Sequence, residues 1–182
     1  MQPAAKPAPV KATSEFETGR AAFQRMYVSA RTWAPDTQPV RLESRPNKED
    51  PQDGRAGIWA AVFVSASKQN VRTYVWSGIA TDPDKGVSPG SMDYYSPANA
   101  STRPFDLNFL KVDSTKAFEV TGKKGGSALL KKDPHQPIKY MLFFDAPKGR
   151  LLWRVLYGNS QSDAKLKILV SASSGDFVAI EK

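Results

Sequence analysis

His135 is the only histidine in the chain, and there is no cysteine. A Ser-His-Asp or Cys-His arrangement therefore has one base available and no thiol nucleophile. His135 lies in Asp133-Pro134-His135-Gln136-Pro137, where two prolines mark a turn. The matching earlier stretch, Pro35-Asp36-Thr37-Gln38-Pro39, carries no histidine. The expectation is a solvent-exposed turn histidine and no general base.

Other chemistry-bearing groups resolve in the same way. Gly122-Lys123-Lys124-Gly125-Gly126-Ser127 has the composition of a phosphate loop but not the G-x-x-x-x-G-K-[ST] spacing. Asp82 and Asp84, with Asp93 further on, could hold a hard cation, but their spacing does not fit an EF-hand and no Glu closes the shell. A solvated acidic turn is expected there. No pair of carboxylates stands out for glycosidase-type acid/base work. Asn99-Ala100-Ser101 has only the form of a glycosylation site. Trp59 and Trp153 occupy equivalent positions in a repeated pattern. Each is expected to pack a helix on its sheet, since one buried indole removes on the order of 200 Å² from water. No catalytic, cofactor-binding or metal-binding residue is expected.

The elements that position these residues recur. Gln38-Pro39-Val40-Arg41-Leu42 returns as Gln136-Pro137-Ile138-Lys139-Tyr140. Ile58-Trp59-Ala60-Ala61-Val62-Phe63 returns as Leu152-Trp153-Arg154-Val155-Leu156-Tyr157. Helix, Gln-Pro, apolar strand and Trp-bearing strand follow one another in both places, the mark of an internal duplication. The chain divides accordingly into a linker over 1–13, a first unit over 14–104 with a long connecting loop, and a second unit over 105–182.

Within the first unit, Ser14 and Glu17 form a capping box that opens a helix to about Trp33. Phe16, Phe23, Tyr27 and Ala30 fall on one of its faces. Ala34-Pro35 stops it. Strands follow at Val40–Ser44, Ile58–Ser65 and Val71–Ile79. Between them Arg45 to Gly57, with Pro46, Pro51 and Gly54, reads as a surface loop. Thr81 to Arg103, rich in Pro and Gly, reads as a long loop or irregular strands connecting the units. Phe105 to Val112 alternates like an extended lead-in.

The second unit opens at Asp113-Ser114, good N-cap residues. Its helix should break near Gly125-Gly126, because interior glycines cost up to about 1 kcal/mol each relative to Ala. Strands are expected at Ile138–Asp145, Leu151–Tyr157, Leu166–Ser171 and Phe177–Ile180, the third with alternating Lys and aliphatic residues.

Composition narrows the partner. The 182 residues carry a net charge of +8, with pI near 9.7. The basic residues are dispersed, their tightest groups being Lys123-Lys124 and Lys131-Lys132, and no nucleic-acid-binding signature accompanies them. A nucleic-acid partner is not expected, although an anionic envelope polymer needs no dedicated site to be attracted. No apolar run approaches the ~20 residues that span a bilayer. Met1 to Thr13 has Pro, Ala and Lys in place of a signal peptide's apolar core. Met joined directly to such a linker is the arrangement left when a secretion or lipoprotein signal is removed, so an extracytoplasmic protein is expected.

The second unit resembles PepSY-like domains. The resemblance rests on the helix with a Gly-Gly break over Ala117 to Lys132, then Pro137-Ile138-Lys139-Tyr140, Trp153-Arg154-Val155 and Ser171-Ala172-Ser173-Ser174-Gly175-Asp176-Phe177-Val178. These domains end in a W-x-V strand and a strand of the form V-D-A-x-T-G-x-V. Ser171 here stands for the usual Asp and Ser174 for Thr. The likeness covers Asp113 to Lys182, and reaches Ser14 to Gly78 only through the duplication. It implies an α+β fold of two tandem repeats, each a helix packed on a curled antiparallel sheet with a cystatin-like look. It also implies a place outside the cytoplasm and a role in peptidase inhibition or local regulation.

The function expected is a non-enzymatic binding or regulatory module. Its partner would be a protein or peptide of the cell envelope, met through Arg45 to Gly57 and Thr81 to Arg103. The competing expectation is an electrostatic binder of an anionic polymer or nucleic acid.

Overall fold

A computed structural model describes residues 12–182. The linker expected over 1–13 therefore lies almost wholly outside the described residues. The chain is α+β, with helices on one face of a large antiparallel sheet. In order its elements are β1 (Glu17–Thr18), α1 (Gly19–Trp33), β2 (Gln38–Ser44), β3 (Arg55–Ala56), β4 (Ile58–Ser65), β5 (Asn70–Ser77) and β6 (Gly86–Tyr94). Then follow α2 (Ser114–Thr121), α3 (Ser127–Lys132), β7 (Ile138–Asp145), β8 (Arg150–Tyr157), β9 (Lys167–Ser171) and β10 (Phe177–Glu181).

The eight-stranded sheet runs β10-β9-β8-β7-β2-β4-β5-β6, and β1 pairs with β3 apart from it. Each half of the chain thus supplies helix and then four strands, and the first main-sheet strand of each half meets the other at the centre. That seam is short: Arg41, Leu42 and Glu43 pair with Phe143, Leu142 and Met141. At its end the Tyr140 N–H leaves the backbone ladder and donates to the Ser44 hydroxyl at 2.9 Å.

Alternation along the strands decides which side chains meet the helices. Leu42, Trp59, Ala61, Phe63, Tyr140, Leu142, Trp153, Val155 and Tyr157 enter one core with Ala22, Phe23, Met26 and Ala30 of α1 and Ala117 of α2. On the opposite face Val40, Val62, Val64 and Tyr95 form a small cluster. Two ion pairs join strands there, Lys139–Glu43 at 3.1 Å between neighbours β7 and β2, and Arg154–Glu181 at 2.6 Å from β8 across β9 to β10. Among the described residues no helix is long and apolar enough to cross a membrane.

Two expectations need correction and one open alternative is decided. The first helix starts at Gly19, capped by the Thr18 hydroxyl, which accepts from the Ala21 N–H at 3.3 Å. Ser14 is drawn instead into tertiary bonds, donating to the Glu49 carboxylate and accepting from the Ala80 N–H. Glu17 pairs with Arg25. Residues 86–94, within the stretch expected as a long loop or irregular strands, form the edge strand β6, whose Pro89 is tolerated because an edge strand needs fewer ladder donors. The lead-in over 105–112 is not extended throughout but makes a short 3-10 turn at Leu107–Phe109.

The break in the second helix falls where glycine spacing places it. Residues 122–126 form a wide turn with Gly125 at φ 118°, a left-handed conformation that suits a residue without Cβ.

Candidate functional site

A groove of about 680 Å³ opens where the loop between β2 and β4 faces the turn before β7. It therefore joins the two halves of the chain. Its size falls within the range of small-ligand and peptide sites, about 300–1,000 Å³. Pro46, Pro51, Pro134 and Pro137 supply rigid apolar wall, while Lys48, Asp50, Gln52, Arg55, Gln136 and Tyr140 supply the polar groups.

Cross-chain hydrogen bonds hold the groove open. The Gln52 side-chain amide donates to the carbonyls of Pro134 at 2.8 Å and Gln136 at 3.2 Å. The Gly54 N–H donates to the Tyr140 hydroxyl at 3.1 Å, and the Gly54 carbonyl accepts from Ser114 at 2.6 Å. Gly54 has φ 93°, and a Cβ there would lie 2.4 Å from the Thr115 Cα. Only glycine meets both demands.

Asp50 fixes the loop from inside. Its carboxylate accepts from the N–H groups of Asn47 and Gly57 at 2.9 and 2.8 Å. Burial nevertheless raises its pKa, the two N–H bonds opposing the shift. Burial also raises the Tyr140 hydroxyl well above its ordinary value, assisted by Tyr157 nearby, so Tyr140 stays a neutral phenol at physiological pH.

Two polar groups of the groove have spare capacity. Gln136 is 5% exposed, and its Oε1 has no hydrogen-bond partner among the described residues. Tyr140 is 1% exposed and its oxygen already accepts from Gly54, while no protein acceptor for its own proton occurs among the described residues. Both groups lie beneath the groove lining, shielded from solvent. An unmade hydrogen bond at such a group costs about 1–3 kcal/mol.

The charged lining is nearly balanced. Arg55 is held by Asp53 through its Nε at 2.8 Å and its Nη2 at 2.6 Å. Lys48 and the tethered Asp50 carry opposite signs.

The structure disperses the candidates named from sequence. His135 is exposed on the rim of the groove, its N–H bonded to Asp133 at 3.2 Å. A hydrogen bond from the Ser77 side chain, and then one from the Asp84 N–H, lower the Asp82 pKa. Asp93 sits in β6 against the Tyr94 N–H. Among the described residues no three His, Cys, Asp or Glu side chains gather as a metal site. Lys123 of the glycine-rich segment pairs with Glu119 at 3.0 Å. Trp59 and Trp153 are fully buried, so neither offers a face to a ligand.

Gln52, Gln136 and Tyr140 went unread as site residues, although Gln136-Pro137 had been visible as a repeated dipeptide. What makes them a site is contact between segments more than 80 residues apart, which spacing does not encode.

No family model matches the chain, and no curated protein matches it. The fold has a solved counterpart. A protein of Clostridium difficile 630, described as a candidate lipoprotein, superposes with a TM-score of 0.60 at 13% identity. The match covers 88% of this chain and 91% of that one. At that identity the likeness establishes shared architecture alone.

Proposed function

We propose that the chain is a non-enzymatic, extracytoplasmic module that binds a protein segment in the groove between its halves and thereby regulates an envelope protein, a peptidase being the favoured class. The observation that carries this reading is a preformed groove between the two halves, braced by hydrogen bonds from Gln52 and Gly54. The candidate-lipoprotein description of the structural counterpart supports the envelope location. The PepSY-like motif in the second half, and the helix-then-four-strands order in both halves, support descent from a duplicated PepSY-like unit.

The test is a pull-down from native cell-envelope extract at low and high salt, comparing the wild type with Gln52→Ala. A protein recovered at both salts and lost with the variant supports the reading, and an inhibition assay follows if that protein is a peptidase. A polymer recovered only at low salt, unaffected by Gln52→Ala, overturns it. Exposed Lys124, Lys131 and Lys132, which have no ion pair among the described residues, would then be the contact.

A further inference from the structure

We infer that β6 and the adjoining flank of α1 dock an acidic, amphipathic helix of a partner protein. A carboxylate of that helix pairs with Arg72, and its apolar side chains cover Met92 and Tyr94. The surface shares no residue with the groove and goes beyond the reading above.

Strand register brings these residues together. Phe63, Arg72 and Met92 lie side by side across β4, β5 and β6, and Ser65, Asn70 and Tyr94 form the next row but one. Arg72 shares the helix side of β5 with Tyr74 and Trp76, and Met92 and Tyr94 continue that side onto β6. Tyr27 of α1 stacks on Phe63 with ring centroids 6.0 Å apart, so α1 lies over β4 and β5. Past it the helix side of β6 is open: Met92 is 58% and Tyr94 67% exposed. A sheet face of this kind is ordinarily buried by a helix. Met, Tyr and Arg are also among the side chains enriched at protein interfaces.

Arg72 supplies the charge that selects the partner. Its Cζ lies 5.8 Å from the Trp33 ring centroid and 5.5 Å from that of Tyr74, so two rings hold the guanidinium. Its Nε is shielded, but Nη1 and Nη2 are not, and neither bonds a described residue. Among the described residues the arginines in ion pairs are Arg25, Arg55, Arg150 and Arg154. Arg72 is left without a carboxylate, as is exposed Arg31, one turn after Tyr27. The nearby acids are committed elsewhere. Asp36 is held by Ser65 and Ser67, and Asp93 falls on the opposite side of β6 against the Tyr94 N–H.

A partly buried cation without a counter-ion gains from a partner carboxylate. A second copy of this chain is disfavoured as the occupant, since two chains of charge +8 repel. The apolar shelf disfavours a nucleic acid, whose affinity comes from many cations on phosphates.

The probe is a blocked amphipathic helix of about four turns built from Ala, Leu and Glu, set against its counterpart with Gln for every Glu. Binding is read by NMR on the full chain, through the Trp33 indole and Tyr94 amide resonances. The Glu peptide should shift both. The Gln peptide should bind roughly ten-fold more weakly, the loss of one interfacial charge pair. Tyr94→Ser should weaken the Glu peptide by about the same factor and leave the fold intact, because its side chain stands in solvent. Arg72→Gln should abolish the preference for Glu over Gln. Gln52→Ala, in the groove, should change nothing.

Equal binding of the two peptides, no shift at millimolar peptide, or shifts confined to the groove or the α2–α3 lysines overturns the inference. So does an oligothymidine that moves the same resonances at lower concentration than the Glu peptide. The groove reading is decided separately, by the Gln52→Ala pull-down.

Discussion

Trp59 of β4 and Trp153 of β8, separated in the sheet by β2 and β7, meet edge to face with ring centroids 6.4 Å apart and planes at 72°. Each indole N–H also donates to the carbonyl of the residue just before a helix cap. Trp59 reaches Glu17 at 3.0 Å, ahead of Thr18 and α1, and Trp153 reaches Val112 at 2.9 Å, ahead of Asp113 and α2. The pair therefore fixes both helix starts over the seam, and edge-to-face geometry adds about 0.5–1.5 kcal/mol beyond burial.

Gly19 sits against this pair. A Cβ at Gly19 would lie 2.6 Å from Trp153 Cη2 and 3.1 Å from Trp59 Cη2. Gly19→Ala should destabilise by about 1–3 kcal/mol, the cost of overpacking a tight core. Urea unfolding followed by Trp fluorescence measures it, and an unchanged midpoint would contradict the contact.

Asp113 caps two helices at once. Its carboxylate accepts from Ser114 N–H at 2.7 Å in α2, and from Arg20 N–H at 2.9 Å and the Thr18 hydroxyl at 2.7 Å at the start of α1. Two positive helix ends converge on one anion. Asp113→Ala should cost more than a single cap, about 2 kcal/mol, and more than Thr18→Ala. At this chain length that is a fall in Tm of roughly 4–8 °C by calorimetry.

Asp36 links the end of α1 to the β4–β5 turn through the Ser67 N–H at 2.8 Å and the Ser65 hydroxyl at 2.7 Å. The Ser67 N–H first, then Ser65, lower its pKa from 3.8 to about 2. A depressed carboxyl stabilises the fold fully above its unfolded value and loses that contribution as pH falls from about 4 through 2. The stability difference between wild type and Asp36→Asn should shrink over that window and stay flat from pH 5 to 7, read as urea midpoints.

Ser44 closes the seam by accepting the Tyr140 N–H. Ser44→Ala leaves that buried donor without its acceptor and should cost about 1–3 kcal/mol. Hydrogen exchange at Tyr140 should accelerate more than at residues in β9. Equal protection in the variant would mean the seam does not depend on this bond.

Much of the frame was legible because it depends on neighbours in sequence. Ile58–Ser65 and Ile138–Asp145 are the expected strands, since runs of β-branched and aromatic residues bounded by turns read locally. Asp113 reads as a cap and Gly125 as a break for the same reason. The start of α1 misled because Ser14 has a capping residue's chemistry but finds Glu49 and Ala80 in the tertiary fold. β6 stayed undecided between loop and irregular strand because Pro and Gly mark loops locally, yet an edge strand accommodates them.

The sequence alone determined an α+β chain with a recurring helix-strand order, a buried Trp in each half and one turn histidine. Only the tertiary structure decided that the halves share one sheet through β2 and β7, and that a groove opens where the loop after β2 meets the turn before β7. Strand alternation and helix capping depend on residues a few positions apart, so a sequence displays them. The seam and the groove depend on register between segments some hundred residues apart, and packing of the whole core sets that register.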